Sequence, residues 1–156
     1  MSRRCGNLAA PVLLSVCTVA CGGTSPNAPS APASFLAGTW TGTLTIERDG
    51  EPTTSGPVTW TFDVVPDTNL QTFRTTIRSQ HSWLPITTTV TTALTPGNTP
   101  PARISSQGTY PSPRGCTGTL LSVGTAEASR IDADFSGVDC STLAQSTFRG
   151  RVVLSR

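Results

Sequence analysis

The chain has 156 residues, enough for one domain of ordinary size, and only 13% of them are charged. Its eleven cationic residues are all Arg, and without the first twenty residues nine Arg face nine Asp and Glu, a formal charge of zero. A neutral chain without a basic stripe lacks the electrostatic footprint of a nucleic-acid-binding protein, so we exclude that class.

The first twenty residues have the layout of a secretory signal peptide. Arg3 and Arg4 form a short basic region, and an apolar run over 8–20 follows. This run is shorter than the roughly twenty residues that a helix needs to cross a bilayer core. We therefore expect 1–20 to direct export and to be removed.

The apolar run ends in Val19-Ala20-Cys21-Gly22, which resembles the lipobox of bacterial lipoproteins. In that family, cleavage leaves an acylated Cys at the new N-terminus, so the resemblance implies fatty acyl chains such as palmitate on Cys21. The alternatives are Cys17, which follows the bulky Val16, and an ordinary signal peptide with an incidental Cys. Several acyl chains anchor a protein stably. An Asp after the acylated Cys resembles the signal that retains lipoproteins in the inner membrane of enteric bacteria. This chain has Gly22 at that position, so we expect the protein to be anchored in the outer membrane.

Residues 21–34 are rich in Gly, Ser, Ala and Pro and show no apolar periodicity. Such a segment cannot form a packed core. We expect it to be a tether between the membrane and a folded domain at 35–156.

Eight short segments of alternating apolar and polar residues make up this domain. The first, Phe35–Arg48, places Trp40, Leu44 and Ile46 on one face and Thr on the other, as in a strand with one buried face. The others are centred on 58–64, 70–78, 84–95, 103–110, 116–125, 130–138 and 146–154. The prediction is an all-β domain: a single antiparallel up-and-down barrel of about eight strands, or alternatively a β-sandwich.

Cys116 and Cys140 lie in the predicted domain, and in an exported protein we expect them to form a disulfide. A hairpin turn centred on Ala128 places them opposite each other. The same register assigns four residues to the buried face, which are Leu121, Val123, Ala133 and Phe135.

Gly38-Thr39-Trp40 resembles the Gly-x-Trp that opens lipocalin and avidin-like barrels. In lipocalins this Trp packs against an Arg of the last strand, so the resemblance implies Arg149 or Arg151 as its partner. Thr-Gly-Thr-Leu occurs at 41–44 and 117–120, which fits two strands of one barrel that bend at Gly. The chain lacks the Thr-Asp-Tyr turn of lipocalins, a long helix after the barrel and the polar ligand set of avidin.

Catalytic and metal sites are not expected. A zinc site needs three or four convergent ligands, whereas the single His, His81, lies between Gln80 and Ser82, where we expect a surface loop. Asp132 and Asp134 share the outward face of a strand and should be solvated, binding a cation weakly at most. No Gly-x-Ser-x-Gly elbow, phosphate loop or dinucleotide fingerprint occurs. The prediction is a non-enzymatic protein without a metal or cofactor.

Two binding functions remain as hypotheses. In the first, the barrel holds a small apolar ligand. The residues expected to line that site, with plain core packing as the alternative for each, are Trp40, Trp60, Phe62, Phe73 and Phe135. In the second, a filled barrel recognises a protein through loops 81–85 or 96–101, with Trp83 as an exposed anchor or as a lid over the barrel end. Thr and Ser on the inner faces of the third to fifth strands predict a partly polar cavity or an open edge.

Overall fold

The structure, a computed structural model, describes residues 34–66, 68–140 and 146–156. The predicted signal peptide, Cys21 and all of the tether except Ser34 lie outside them. The eight strands are Gly38–Arg48 (β1), Thr54–Val64 (β2), Thr72–Ser79 (β3), Thr87–Thr95 (β4), Ala102–Pro111 (β5), Thr117–Ala126 (β6), Arg130–Asp139 (β7) and Ser146–Ser155 (β8). Within the described ranges, no helix has the length and apolar character to cross a membrane.

Each strand pairs antiparallel with its neighbours in the sequence, and β1 also pairs with β8, which closes the sheet. The predicted all-β, up-and-down barrel of eight strands is therefore confirmed, and the chain forms neither a sandwich nor, among its described strands, an open edge. Closure gives each strand two hydrogen-bonded neighbours, so these strands present no unpaired sheet edge.

Alternation along the strands produces the core. Trp40, Leu44 and Ile46 of β1 face the barrel interior and are almost completely buried, as predicted, while the Thr residues between them face outward or lie in the wall. The inward residues of the other strands continue the same cluster around the barrel. Burial of large apolar side chains, at about 1.5–3 kcal/mol each, is the main force that stabilises such a barrel.

The predicted register of the β6–β7 hairpin is wrong by one residue. Leu121 pairs with Ser136 and Val123 with Asp134, so the side chains of Leu121 and Val123 face solvent. The inward face of β6 consists instead of Gly118, Leu120, Ser122, Gly124 and Ala126. Small residues are required on this face because side chains of the paired strands come close: a Cβ at position 118 would overlap the ring of Tyr110, its partner on β5, and one at position 124 would overlap Ala133, its partner on β7.

Cys116 and Cys140 nevertheless form the predicted disulfide, with their Cα atoms 6.0 Å apart. The bridge lies beyond the last β6–β7 pair, Thr119 with Val138, and so does not depend on the ladder register. It closes a loop with a sequence separation of 24. In the chain-entropy model, closing such a loop stabilises the fold by on the order of 3 kcal/mol.

Candidate functional site

The barrel interior contains all five residues predicted to line a ligand site. Each is at most 2% exposed, and they are Trp40, Trp60, Phe62, Phe73 and Phe135. The ring centroids of Trp60 and Phe62 are 5.9 Å apart, and those of Phe62 and Phe73 are 6.1 Å apart. Phe135 packs instead against Phe148, at 5.8 Å. The structure therefore brings three of the five into one aromatic cluster, pairs Trp40 with Trp60 in the β1–β2 ladder beside it, and places Phe135 elsewhere in the interior.

A row of hydroxyl groups crosses the inner wall beside this cluster. We call it the hydroxyl row: Thr75, Thr92, Ser106 and Ser122, one from each of the neighbouring strands β3 to β6, all fully buried. The Oγ1 atoms of Thr75 and Thr92 are 2.7 Å apart, and Thr92 Oγ1 lies 2.8 Å from Ser106 Oγ. Ser106 pairs across the ladder with Ser122. The Thr and Ser predicted on the inner faces of β3 to β5 thus form a polar strip, which Ser122 of β6 extends.

Two fully buried polar atoms in the interior have no hydrogen-bond partner among the described residues: Trp60 Nε1 and Ser122 Oγ. Buried polar groups in folded proteins are nearly always hydrogen-bonded, and an unmade bond costs about 1–3 kcal/mol. The indole nitrogen can only donate, whereas the hydroxyl can donate and accept. These two atoms, on β2 and β6, are therefore the interior positions best suited to bind a polar group.

We call the barrel end at which β1 begins the amino end. It is closed by the residues just before β1 and just after β8. Leu36 is fully buried there, and its carbonyl accepts a hydrogen bond of 2.9 Å from Trp40 Nε1. The guanidinium of Arg156 lies 4.4 Å from the centre of the Trp40 ring. The cationic partner of Trp40 is therefore Arg156, just after β8, and the expectation of Arg149 or Arg151 is wrong. Arg149 and Arg151 are excluded because they alternate with the inward residues of β8 and face outward.

The opposite end of the barrel is covered by residues 80–86, which we call the lid. Two of its residues, Leu84 and Ile86, are buried. Trp83 is partly buried, with its ring centre 5.2 Å from that of Phe148 and the Arg48 guanidinium 4.5 Å from its own ring centre. Trp83 was expected to be either an exposed anchor for a partner protein or a lid over the barrel end. The structure shows that it is part of the lid.

His81 is not the surface residue that the sequence suggested, since it is fully buried at the base of the lid. Its Nδ1 accepts the backbone N–H of Trp83 at 3.1 Å, so the ring hydrogen is on Nε2, which donates to Thr54 Oγ1 at 3.1 Å. The lid can lie this close because Gly56 has no side chain: a Cβ there would come within 2.6 Å of the His81 Cα. His81 therefore anchors the lid to β2.

Gly56→Ala should displace the lid without altering any lid side chain. The new methyl group meets the backbone of His81, which cannot move alone, and overpacking of this kind costs about 1–3 kcal/mol. We expect faster hydrogen exchange at the amides of Trp83 and Leu84, which are bonded to His81. Gly97→Ala is the matched control, because the nearest atom to its new Cβ is 3.8 Å away. Equal exchange at these two amides in both variants would contradict the role of Gly56.

A buried carboxylate that the sequence analysis missed lies at the lid end. Asp139 is 3% exposed and accepts a hydrogen bond of 3.1 Å from the Tyr110 hydroxyl. Arg114 Nε lies 3.5 Å from its other oxygen. Burial, and then the charge of Asp139, raise the pKa of Tyr110 well above its usual value, so the phenol remains a donor at neutral pH. The sequence signal that could have predicted the burial of Asp139 is its position directly before Cys140, which forms the disulfide.

Asp132 and Asp134 face outward on β7, as predicted. Arg151 holds the Asp132 carboxylate with two hydrogen bonds of 2.6 Å, and Arg130 adds an ion pair at 3.2 Å. The hydrogen bond from Arg151 lowers the pKa of Asp132. No group of three or more His, Cys, Asp or Glu suited to a metal ion occurs in the described part of the chain.

Arg151→Gln should raise the pKa of Asp132 toward its ordinary value, as measured by NMR titration of the carboxyl group. The folded-state pKa is now lowered, so the pair stabilises the fold above the unfolded-state pKa and loses this effect as the pH falls through the folded-state value. The variant should be less stable than wild type at neutral pH, by the small amount typical of an exposed ion pair, and equal to wild type in strong acid. Arg149→Gln, which removes the more exposed pair with Glu47, should have a smaller effect.

An open groove of about 860 Å³ crosses the outside of the barrel from β4 to β8. Uncharged residues line it, among them Leu121, Gln107 and Val138. Leu121 is 43% exposed, and nearby on β6 Val123 is 36% exposed. The predicted register had assigned both residues to the core. The outer wall therefore has an uncharged, partly apolar face that alternation alone did not predict.

Comparison with known proteins finds no protein family that matches the chain, and no curated protein or solved structure that is significantly similar to it.

Proposed function

We propose that the protein is an exported lipoprotein, anchored to the outer membrane through acyl chains on Cys21, and that its barrel binds one small, largely apolar ligand in the interior. The observation that carries the binding proposal is the pair of fully buried polar atoms without a partner, Trp60 Nε1 and Ser122 Oγ, beside an aromatic cluster. The anchoring proposal is supported by the lipobox resemblance at Cys21.

The surroundings of these two atoms fit such a ligand. The aromatic cluster supplies an apolar wall, and the hydroxyl row supplies a few fixed polar groups, the combination typical of small-molecule sites. Barrels of eight strands are of the size that holds side chains or one small ligand.

Entry would be through the lid. The amino end is held by the fully buried Leu36 and by Arg156 over Trp40. The lid also buries His81, Leu84 and Ile86, but its Trp83 is only partly buried and none of its residues is paired in the sheet. Lids of this type open on the microsecond to millisecond timescale in other proteins, and this one can open without breaking any strand pair.

Native mass spectrometry of residues 34–156, exported to an oxidising periplasm and purified without detergent, tests the binding proposal. We expect a reproducible additional mass that disappears after organic extraction, on a chain lighter by two hydrogens because of the Cys116–Cys140 disulfide. A single bare mass, together with no binding from a panel of lipids, would contradict the proposal.

A second function, recognition of a protein by a filled barrel, is favoured by the uncharged outer groove around Leu121. A photo-crosslinking residue in place of Leu121 should then give a discrete adduct in intact cells. The same residue in place of Thr87, on the outer face of β4 outside the groove, is the control. Equal diffuse labelling at both positions would argue against this function.

A further inference from the structure

We infer that the interior site selects an uncharged ligand with a hydrogen-bond acceptor, such as the carbonyl oxygen of an ester or ketone, which receives hydrogens from Trp60 Nε1 and Ser122 Oγ. The inference rests on the proposed function, because it specifies the chemistry of the same interior ligand. It goes further by distinguishing among hydrocarbons, acids and esters of equal length.

The count of hydrogens in the interior requires an acceptor. Thr75, Thr92 and Ser106 have three hydroxyl hydrogens but form only two contacts with one another, so one hydrogen is not used within the row. The Trp60 indole and the Ser122 hydroxyl each add a hydrogen without an acceptor among the described residues. Because the indole can only donate, another donor cannot satisfy it. A pure hydrocarbon would leave the Trp60 indole and the Ser122 hydroxyl unpaired.

The charges around the interior exclude an ionised ligand. No Arg is among the buried residues of the described chain, so nothing there would neutralise a carboxylate once it leaves water. The buried anion, Asp139, already accepts from Tyr110 and pairs with Arg114 at the lid end. A cationic ligand would also present donors to the Trp60 donor. A neutral acceptor avoids both problems.

The experiment compares methyl hexanoate, hexanoate and octane, which have similar chain lengths. The mature chain is exported with Cys21→Ser so that no acyl chain competes for the site. Binding is followed at pH 8 by the indole N–H signals in ¹H–¹⁵N NMR spectra, and Trp60→Phe identifies the Trp60 signal. Trp40 is an internal reference, because its indole already donates to the Leu36 carbonyl.

We expect the ester to move the Trp60 indole proton downfield while the Trp40 signal stays in place. The ester should bind about fivefold more tightly than octane, corresponding to one typical net hydrogen bond. Hexanoate should bind at least about tenfold more weakly than the ester, because the site would have to strip water from an unpaired charge.

A variant pair assigns the effect to the interior wall. Ser122→Ala should weaken ester binding and leave octane binding unchanged, whereas Ser136→Ala, on the outer side of β7, should change neither. Octane or hexanoate binding as tightly as the ester, or ester binding without movement of the Trp60 signal, would overturn this inference alone. Absence of binding by all three probes would overturn the proposed function as well. These wild-type measurements remain decisive if Ser122→Ala does not fold.

Discussion

Gly150→Ala is expected to unfold the barrel or to lower its stability by at least about 3 kcal/mol. Gly150 is on β8, opposite Ile46 of β1, in the seam that closes the sheet. A Cβ at position 150 would overlap the carbonyl oxygen of Thr45, and one at Gly42 would overlap the carbonyl oxygen of Val153. Both obstacles are backbone atoms of the facing strand, so neither can move without separating β1 from β8. Denaturation by urea, followed by far-UV circular dichroism, measures the loss.

The matched control is Gly97→Ala, in the loop after β4. The nearest atom to its new Cβ is 3.8 Å away at the end of the Gln71 side chain, an ordinary van der Waals distance. The same Gly-to-Ala change should therefore alter stability by less than about 1 kcal/mol, and it can even stabilise by restricting the unfolded chain. Equal stability of both variants would show that the β1–β8 pairing does not require a glycine at position 150.

Alternation was sufficient to predict the strands, their order in the sequence and most of their inward faces. It failed on β6, where Leu120 and Leu121 are adjacent and either can start an apolar face. The predicted register placed Cys116 opposite Cys140, which put Leu121 and Val123 on the buried face. The barrel instead has Gly118 and Gly124 inside, where residues of the paired strands β5 and β7 come close. That requirement is set by the packing of side chains between paired strands, which alternation does not describe. Placing the two Cys opposite each other in the ladder caused the error, because the disulfide lies beyond the last β6–β7 pair.

Part of the candidate site could also be predicted from alternation. The aromatic residues and the inward Thr75 and Thr92 follow from period-two alternation, so their shared interior could be read from the sequence. The burial of His81 and the contact of Arg156 with Trp40 could not, because both depend on segments outside the strands. The same holds for the unpaired Ser122, whose inward position followed only when the β6 register was known.

Cys21→Ser should move the protein from the membrane fraction to the soluble fraction of the cell. One acyl chain gives only marginal binding, whereas two or more anchor a protein stably, since each buried methylene contributes about 0.8 kcal/mol. Loss of the acylation site should therefore remove nearly all membrane association and all incorporation of a labelled fatty acid. Fractionation and metabolic labelling with an alkyne fatty acid measure the two effects.

Cys17→Ser is the matched control, because it makes the same sulfur-to-oxygen change four positions earlier in the leader. It should remain acylated and membrane-bound, since the lipobox resemblance places the small Ala20 before Cys21 but the bulky Val16 before Cys17. The opposite pattern would move the acylation site to Cys17. Retention of both variants in the membrane fraction without label would mean that the protein is held by something other than acyl chains. The ligand experiments on the barrel would not be affected, because the strands and the lid lie after residue 34.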